Sequence, residues 1–132
     1  ILAPGHALEI FEPFARRRLF HAVPAGAAGV LEALGEVRPT SLDEEGFVHL
    51  SQAQQLEGTL EVHFRGVDRV LLLELDPEKV AADVRFEPSR GGALFPHLFR
   101  PIDLVKDVIG RTTLCRGRAG RFELPEGITP RR

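Results

Sequence analysis

The sequence predicts a small α+β domain, a split antiparallel or mixed β-sheet with a few short helices. Short stretches with strand-like alternation, such as 19–23, are interleaved with short helical stretches such as 52–65. The continuous apolar run 70–75 is typical of a central strand that is covered on both faces. A length of 132 residues with 43% apolar content suits one hydrophobic core.

The first half of the chain begins with an N-terminal extension, 1–17, in which prolines and a glycine interrupt regular structure before an arginine run. A single domain is predicted over 18–132. Residues 19–23 alternate as a strand with Leu19, His21 and Val23 on one face. Four further elements follow: a short helix over 27–34 that ends at Gly35, an extended stretch over 36–42, a short strand over 47–50, and the clearest helix over 52–65.

The 52–65 helix is predicted from a capping-box pair, Ser51 and Gln54, ahead of Leu56, Leu60 and Phe64 at helical spacing. After the central strand 70–75, Asp76 and Pro77 are typical of an N-cap and a first helical position. The remaining expectations are a strand over 84–87, a glycine-containing loop over 89–93 that leads into a loop carrying His97, and closing strands at 107–114 and 121–124.

Composition indicates a soluble, cytoplasmic protein without a membrane partner. No apolar run approaches the ~20 residues that cross a bilayer. A lone cysteine, Cys115, cannot form an internal disulfide, which favours a reducing compartment. A net charge of -2 argues against a protein that wraps nucleic acid with its whole surface, so nucleic acid is not the favoured partner.

The histidines carry the strongest functional signal. None of the five stands three or four residues from another, so a local metal-binding pair is absent and no metal is expected. His21 lies within a predicted strand, His49 at a strand end, and His97 after Phe95-Pro96. Neutral imidazoles in such places donate or accept hydrogen bonds to hydroxyls and phosphates, as a nucleotide or sugar site requires. His63, on the helix, is interpreted as structural or surface-exposed, as is His6.

An ordered set of motifs adds to this pattern: LFHA at 19–22, EGFVHLS at 45–51, VRFE at 84–87, FPHLFRPI at 95–102 and RFELP at 121–125. Over about 18–125 the set resembles the bacterial family called domain of unknown function 952. This chain has Phe99 where that family usually has tyrosine and Arg100 where glycine is usual. The resemblance implies an ADP-ribosyltransferase-like fold that binds NAD, as a substrate, in a cleft.

The resemblance also implies roles for particular side chains. His21 would contact the nicotinamide ribose, His49 would be the second polar residue of the site, and Glu87 would assist the acceptor. We therefore predict these three as the catalytic residues. The predicted substrate-binding residues are His97, Ser51, Phe95 and Phe99, with helix capping as the competing role for Ser51.

Three functions stay open from the sequence. The first is an NAD-utilising, ADP-ribosyltransferase-like transferase or hydrolase acting on a nucleotide and a small-molecule, protein, RNA or water acceptor. The second is a non-catalytic nucleotide or small-ligand binding domain, which the absence of tyrosine favours. The third is an RNA-associated module, because residues 106–132 contain seven basic and three acidic residues.

Overall fold

The computed structural model describes residues 17–128. The predicted N-terminal extension lies outside this range except for its last residue. The strands are β1 (Leu19–Pro24), β2 (Glu36–Val37), β3 (Val48–His49), β4 (Ser51–Gln52), β5 (Arg69–Leu75), β6 (Val84–Pro88), β7 (Leu94–Leu98), β8 (Ile102–Asp103) and β9 (Val108–Cys115). The α-helices are α1 (Ala28–Leu34), α2 (Thr40–Glu45), α3 (Leu56–His63) and α4 (Pro77–Val80). Single 3-10 turns occupy Ala25–Ala27, Ala53–Gln55, Ala81–Asp83 and Arg90–Gly92.

The strands form separate antiparallel sheets. The largest has four strands in the order β4-β1-β5-β9, a second has three in the order β3-β7-β6, and β2 pairs with β8. Strand β5 lies between β1 and β9, in agreement with its apolar sequence. The α+β class with antiparallel sheets and a few short helices is confirmed.

Apolar side chains cover both faces of the four-stranded sheet. Because side chains alternate along a strand, β1 and β5 each contribute to two clusters. Leu19 and Leu73 belong to a cluster that extends towards the three-stranded sheet. Phe20 and Leu72 belong to another that helix α3 covers through Leu56, Leu60 and Phe64. The period-two pattern of 19–23 is therefore confirmed.

One short segment joins the two larger sheets. Val48 pairs with Leu98 and His49 with His97 on β7, whereas Ser51 pairs with Phe20 on β1. Leu50, between them, is 1% exposed, and its amide donates to the carbonyl of Pro96. Strands β3 and β4 follow each other in the chain but belong to different sheets, and this crossing positions the candidate site.

Several local predictions are also confirmed. Helix α1 ends at Gly35, which has a left-handed conformation with a φ of 74°. Asp76 caps α4 by accepting a hydrogen bond from the amide of Glu78 at 3.0 Å, with Pro77 at the first helical position.

Four predictions were wrong. The extended stretch 36–42 is instead β2 followed by helix α2, which ends at the left-handed Gly46. The capping box is formed by Gln52 and Gln55 instead of Ser51 and Gln54, and the side-chain oxygen of Ser51 lies 2.8 Å from that of Thr59. His97 lies in strand β7, between β3 and β6, and not in a loop. Residues 121–124 contribute only an isolated bridge between Phe122 and Arg116.

Candidate functional site

A cleft of about 210 Å³ opens where β1, the segment after β3, helix α3 and β7 approach one another. We call it the histidine cleft, because His21, His49 and His63 all line it. Its other lining residues are Phe20, Ala22, Pro39, Thr40, Ser41, Leu50, Ser51, Leu56, Thr59, Phe64 and Phe95. Of the predicted site residues, His21, His49, Ser51 and Phe95 thus share one cavity, while Glu87, His97 and Phe99 are not part of its lining.

His21 is held in a defined orientation. Its Nδ1 lies 2.8 Å from the backbone carbonyl oxygen of His49. A carbonyl can only accept, so Nδ1 carries the proton and donates. Burial lowers the pKa of His21, an effect partly offset by the hydrogen bond to the His49 carbonyl. The ring is therefore neutral at physiological pH, and its Nε2 is a hydrogen-bond acceptor.

His49 forms a carboxylate–imidazole pair with Glu45. The Nε2 of His49 donates to Oε1 of Glu45 at 2.9 Å, and both side chains are about half exposed. The two residues come from the end of α2 and from β3, and the left-handed Gly46 between them makes the turn. In the neutral ring the proton resides on Nε2, which leaves Nδ1 as a base. Glu45 was not among the predicted site residues, although its spacing of four from His49 was visible in the sequence.

Hydroxyl groups complete one wall of the cleft. The Ser51 and Thr59 side-chain oxygens lie 2.8 Å apart, joining β4 to helix α3. Ser41 donates its hydroxyl to the carbonyl of Phe47 at 2.9 Å. These bonds link the elements around the cleft, and the Ser51 bond replaces its predicted capping role.

A second carboxylate–imidazole pair, formed by Glu87 and His97, lies outside the lining of the cleft. Nδ1 of His97 donates to Oε1 of Glu87 at 2.8 Å, and the ring of His97 stacks on Phe47 with centroids 3.9 Å apart. The His49 ring meets His97 edge-on at 5.3 Å. His97 is 3% exposed and its Nε2 is buried without a hydrogen-bond partner. The predicted trio His21, His49 and His97 does converge, but only the first two border the cavity.

Phe99 lies on the far side of the same aromatic group. Its ring centroid is 5.5 Å from that of Phe47, and the guanidinium of Arg85 lies above it. Phe99 is 37% exposed, away from the lining of the cleft.

Helix α3 supplies two residues that the sequence interpretation missed. Thr59 and His63 are one turn apart and both face the cleft. Partial burial, the positive charge of Arg90 and the nearby His49 lower the pKa of His63. The helical period of 3.6 residues predicts that Thr59 and His63 lie on the same side of the helix. It does not predict that this side borders a cavity.

Two basic residues of the last segment, Arg111 and Arg116, are engaged within the chain. Arg116 donates to the carbonyls of Phe64, Val67 and Gly120, and Arg111 pairs with Glu32. Arg131 and Arg132 lie outside the described residues. Within 17–128, no group of three His, Cys, Asp or Glu side chains is arranged to hold a metal ion. None of the helices in that range has the length and apolar character needed to span a membrane.

Fold and site together define a small α+β domain whose sheets meet at a cleft lined by histidines and hydroxyls. A family model described as protein of unknown function (DUF952) matches residues 23–109. The chain belongs to this family, as its motifs predicted.

Solved structures support the same architecture. The chain is similar to the crystal structure of protein CC0527 from Caulobacter crescentus, with 29% identity, a TM-score of 0.73, and coverage of 84% of this chain and 97% of that one. The solution NMR structure of CC0527 gives 30% identity and a TM-score of 0.68, over 79% of this chain and 90% of that one. A comparison with curated proteins finds no match.

Proposed function

We propose that the histidine cleft binds NAD in an ADP-ribosyltransferase-like manner, and that the protein passes ADP-ribose from it to an acceptor. The observation that carries the proposal is His21, a neutral imidazole fixed by the His49 carbonyl with its acceptor nitrogen left for a ligand. Such a group takes a hydroxyl donor, and the nicotinamide ribose of NAD offers two. An imidazolium would instead repel the positively charged nicotinamide ring.

The size of the cleft favours one half of the dinucleotide. Sites that enclose a whole drug-sized ligand measure roughly 300–1,000 Å³. At about 210 Å³ the histidine cleft suits one ring and one sugar, with apolar contact from Phe20, Leu56 and Phe95. The rest of NAD would extend over the rim.

Charge supports an anionic ligand. Within the described residues, none of those lining the cleft is a carboxylate, although the chain as a whole has a net charge of -2. A diphosphate at the rim would meet no acidic side chain of this lining.

The Glu45–His49 pair supplies a base for turnover. When the glycosidic bond of NAD breaks, nicotinamide leaves with the bonding electrons as a neutral molecule. The acceptor oxygen bonds to the anomeric carbon, and its proton passes to Nδ1 of His49. Glu45 stabilises the imidazolium that results, as a carboxylate does in other histidine bases. Water is the simplest acceptor, and ADP-ribose is then the product.

A non-catalytic nucleotide-binding domain is the second candidate. Glycosidic cleavage develops positive charge on the ribose, which a nearby carboxylate stabilises. Glu87, predicted to assist the acceptor, is the one predicted carboxylate, and it is instead hydrogen-bonded to His97 and is not part of the lining of the cleft. This observation favours binding without turnover.

Calorimetric titration of NAD, paired with a chromatographic assay of nicotinamide release, tests the proposal. The variants are His21→Asn, whose amide nitrogen takes the place of Nδ1 as donor to the His49 carbonyl but which has no atom in the place of Nε2, and Glu45→Gln. Loss of an acceptor for a hydroxyl should weaken NAD binding about 10-fold in His21→Asn. Glu45→Gln should bind NAD as the wild type does but release nicotinamide at least about 10-fold more slowly.

Arg69→Gln, at the exposed start of β5 and outside the cleft, is the control and should match the wild type. Binding by all variants without any nicotinamide release supports the second candidate over the first. Absence of NAD binding by the folded wild type refutes both in the form proposed here.

A further inference from the structure

Arg90 lies at the rim of the histidine cleft but is not one of its lining residues. It occupies the 3-10 turn between β6 and β7, where Gly91 and Gly92 have φ values of 69° and 82°. Non-glycine residues rarely adopt these values. The glycines thus let the chain turn so that the Arg90 side chain extends towards helix α3.

Contacts with cleft residues hold the guanidinium. Its central carbon lies 4.8 Å from the centroid of the Phe95 ring, and Nη1 is 3.4 Å from the hydroxyl of Thr59. Nη2 lies against Gly58 so closely that a Cβ there would come within 2.9 Å. Phe95 and Thr59 both line the cleft, so Arg90 is held at its edge by side chains that already belong to the site.

The charge of Arg90 is not neutralised by the described part of the chain. Over residues 17–128, Arg18, Arg100 and Arg111 are each in an ion pair with a carboxylate, whereas no carboxylate pairs with Arg90. Its one weak hydrogen bond leaves most of its donors for another partner. Planar guanidinium groups with free donors suit phosphate oxygens, which they bind in bidentate fashion.

Two neighbours extend the same surface. His63 lies one helical turn after Thr59, the residue that Arg90 contacts, and also lines the cleft; burial and, to a smaller extent, the positive charge of Arg90 lower its pKa. The Thr59 hydroxyl lies between Arg90 and Ser51. A cation, an imidazole and a hydroxyl therefore lie at the rim of a cavity whose lining includes no carboxylate; the Glu45 carboxylate is bonded to His49, one of the lining residues.

From this geometry we propose that Arg90, Thr59 and His63 form a phosphate subsite, and that the ligand of the cleft is a phosphorylated compound whose phosphate oxygens contact Arg90. The identity of the ligand as a nucleoside diphosphate derivative rests on the proposed function. The anion subsite itself does not. In NAD, the diphosphate would follow the ribose that is bound at His21.

The first test uses inorganic pyrophosphate alone, followed by NMR of the histidine ring signals. Bound anion offsets the charge of Arg90, so the pKa of His63 should rise on addition of pyrophosphate to the wild type. Arg90→Gln should have a raised pKa of His63 without ligand and should respond no further. Arg85→Gln is the matched control, because Arg85 also lies over a phenylalanine ring, that of Phe99, but away from the cleft.

The second test separates binding from stability. Gly58→Ala places a methyl group 2.9 Å from Nη2 of Arg90, which is too close, so the flexible guanidinium must move away. Alanine is also a better helix former than glycine, so the melting temperature should stay the same or rise. We expect affinity for pyrophosphate, and for NAD where it binds, to fall about 10-fold in Gly58→Ala and about 10- to 100-fold in Arg90→Gln. Arg90→Lys, which keeps the charge but loses the planar fork, should bind with intermediate affinity.

The outcomes distinguish this subsite from the proposed function. If NAD binds equally to wild type and Arg90→Gln, the subsite is refuted and the NAD proposal stands. If pyrophosphate shifts His63 only when Arg90 is present while NAD does not bind, the subsite stands and the NAD proposal falls. A wild type that responds to neither compound refutes the subsite, and so does an equal response in Arg90→Gln.

Discussion

Protonation of His21 should couple the stability of the fold to the state of the candidate site. The ring is 9% exposed, and burial lowers its pKa below the unfolded value of about 6.5. Below that pH the unfolded chain takes up a proton that the folded chain resists, so stability falls as pH falls. Well above that pH neither the folded nor the unfolded chain binds this proton, and the free energy of unfolding no longer changes with pH through His21.

The expected size follows from a single group. Each pH unit between the two pKa values contributes at most about 1.4 kcal/mol. Integrated from pH 6.5 to 5.5, a His21 that stays neutral in the folded state costs roughly 1 kcal/mol of unfolding free energy. Other carboxyl and histidine groups also titrate, so the absolute change does not isolate His21. The difference between wild type and His21→Gln does, because glutamine has no charge at any pH.

Urea denaturation followed by far-UV circular dichroism measures this difference, since the chain has no tryptophan or tyrosine to report by fluorescence. Wild type should lose more stability than His21→Gln between pH 6.5 and 5.5, by at most about 1 kcal/mol, with the two curves parallel above pH 7.5. Parallel stability curves from pH 7.5 down to 5.5 would refute the assignment of His21 as a neutral acceptor.

Two further predictions concern the framework of the site. Arg100→Gln should cost roughly 3–5 kcal/mol in urea denaturation, because it leaves Asp107, 3% exposed, without its two guanidinium bonds. Arg38→Gln, which breaks only the exposed ion pairs with Glu36 and Asp43, should cost under about 1 kcal/mol. Equal losses for the two would contradict a structural role for the buried pair. Gly46→Ala, at a φ of 93°, should cost about 1–2 kcal/mol in thermal denaturation. The control Gly29→Ala, in α1, should be neutral or stabilising. The reverse order would show that a side chain does not strain the turn before His49.

Local patterns were sufficient for much of the fold. The apolar run of β5 follows from burial on both faces of one sheet. The alternation in β1 follows from side chains that point in turn to the two faces. Helix α1 and the cap of α4 follow from Gly35, Asp76 and Pro77, whose effects are confined to one turn. These features depend on neighbours in the chain, and neighbours are what a sequence displays.

The errors fall where a distant partner decides the structure. Ser51 has the chemistry of an N-cap, but its hydroxyl is bonded to Thr59 on helix α3, and the cap is one residue further on, at Gln52. His97 follows a proline, which suggested a loop, yet both neighbouring strands pair with β7 and hold it extended. In each case tertiary pairing overrides local preference, and the sequence contains no signal of the partner.

The same logic explains which site residues were found. His21 and His49 were predicted as separate strand residues, but their relation depends on one backbone carbonyl that connects two sheets. His63 lies on a helix and Arg90 in a turn, and it is the packing of the sheets that brings these two elements near each other. No spacing in the sequence links them.

The crossing segment, residues 48–52, makes the geometry of the candidate site depend on how the two larger sheets pack against each other. Val48 and His49 are held by β7, and Ser51 by β1, with only Leu50 between them. Because His21 is oriented by the carbonyl of His49, its acceptor nitrogen is aligned only while both sheets are in register. The His49 side chain is not needed for that alignment, so replacing it removes a base and leaves His21 in place. A shift of β7 against β1, by contrast, would disturb both histidines and the Ser51–Thr59 bond together. The proposed binding and turnover at this cleft should therefore be separable by side-chain substitution but not by changes to the crossing itself.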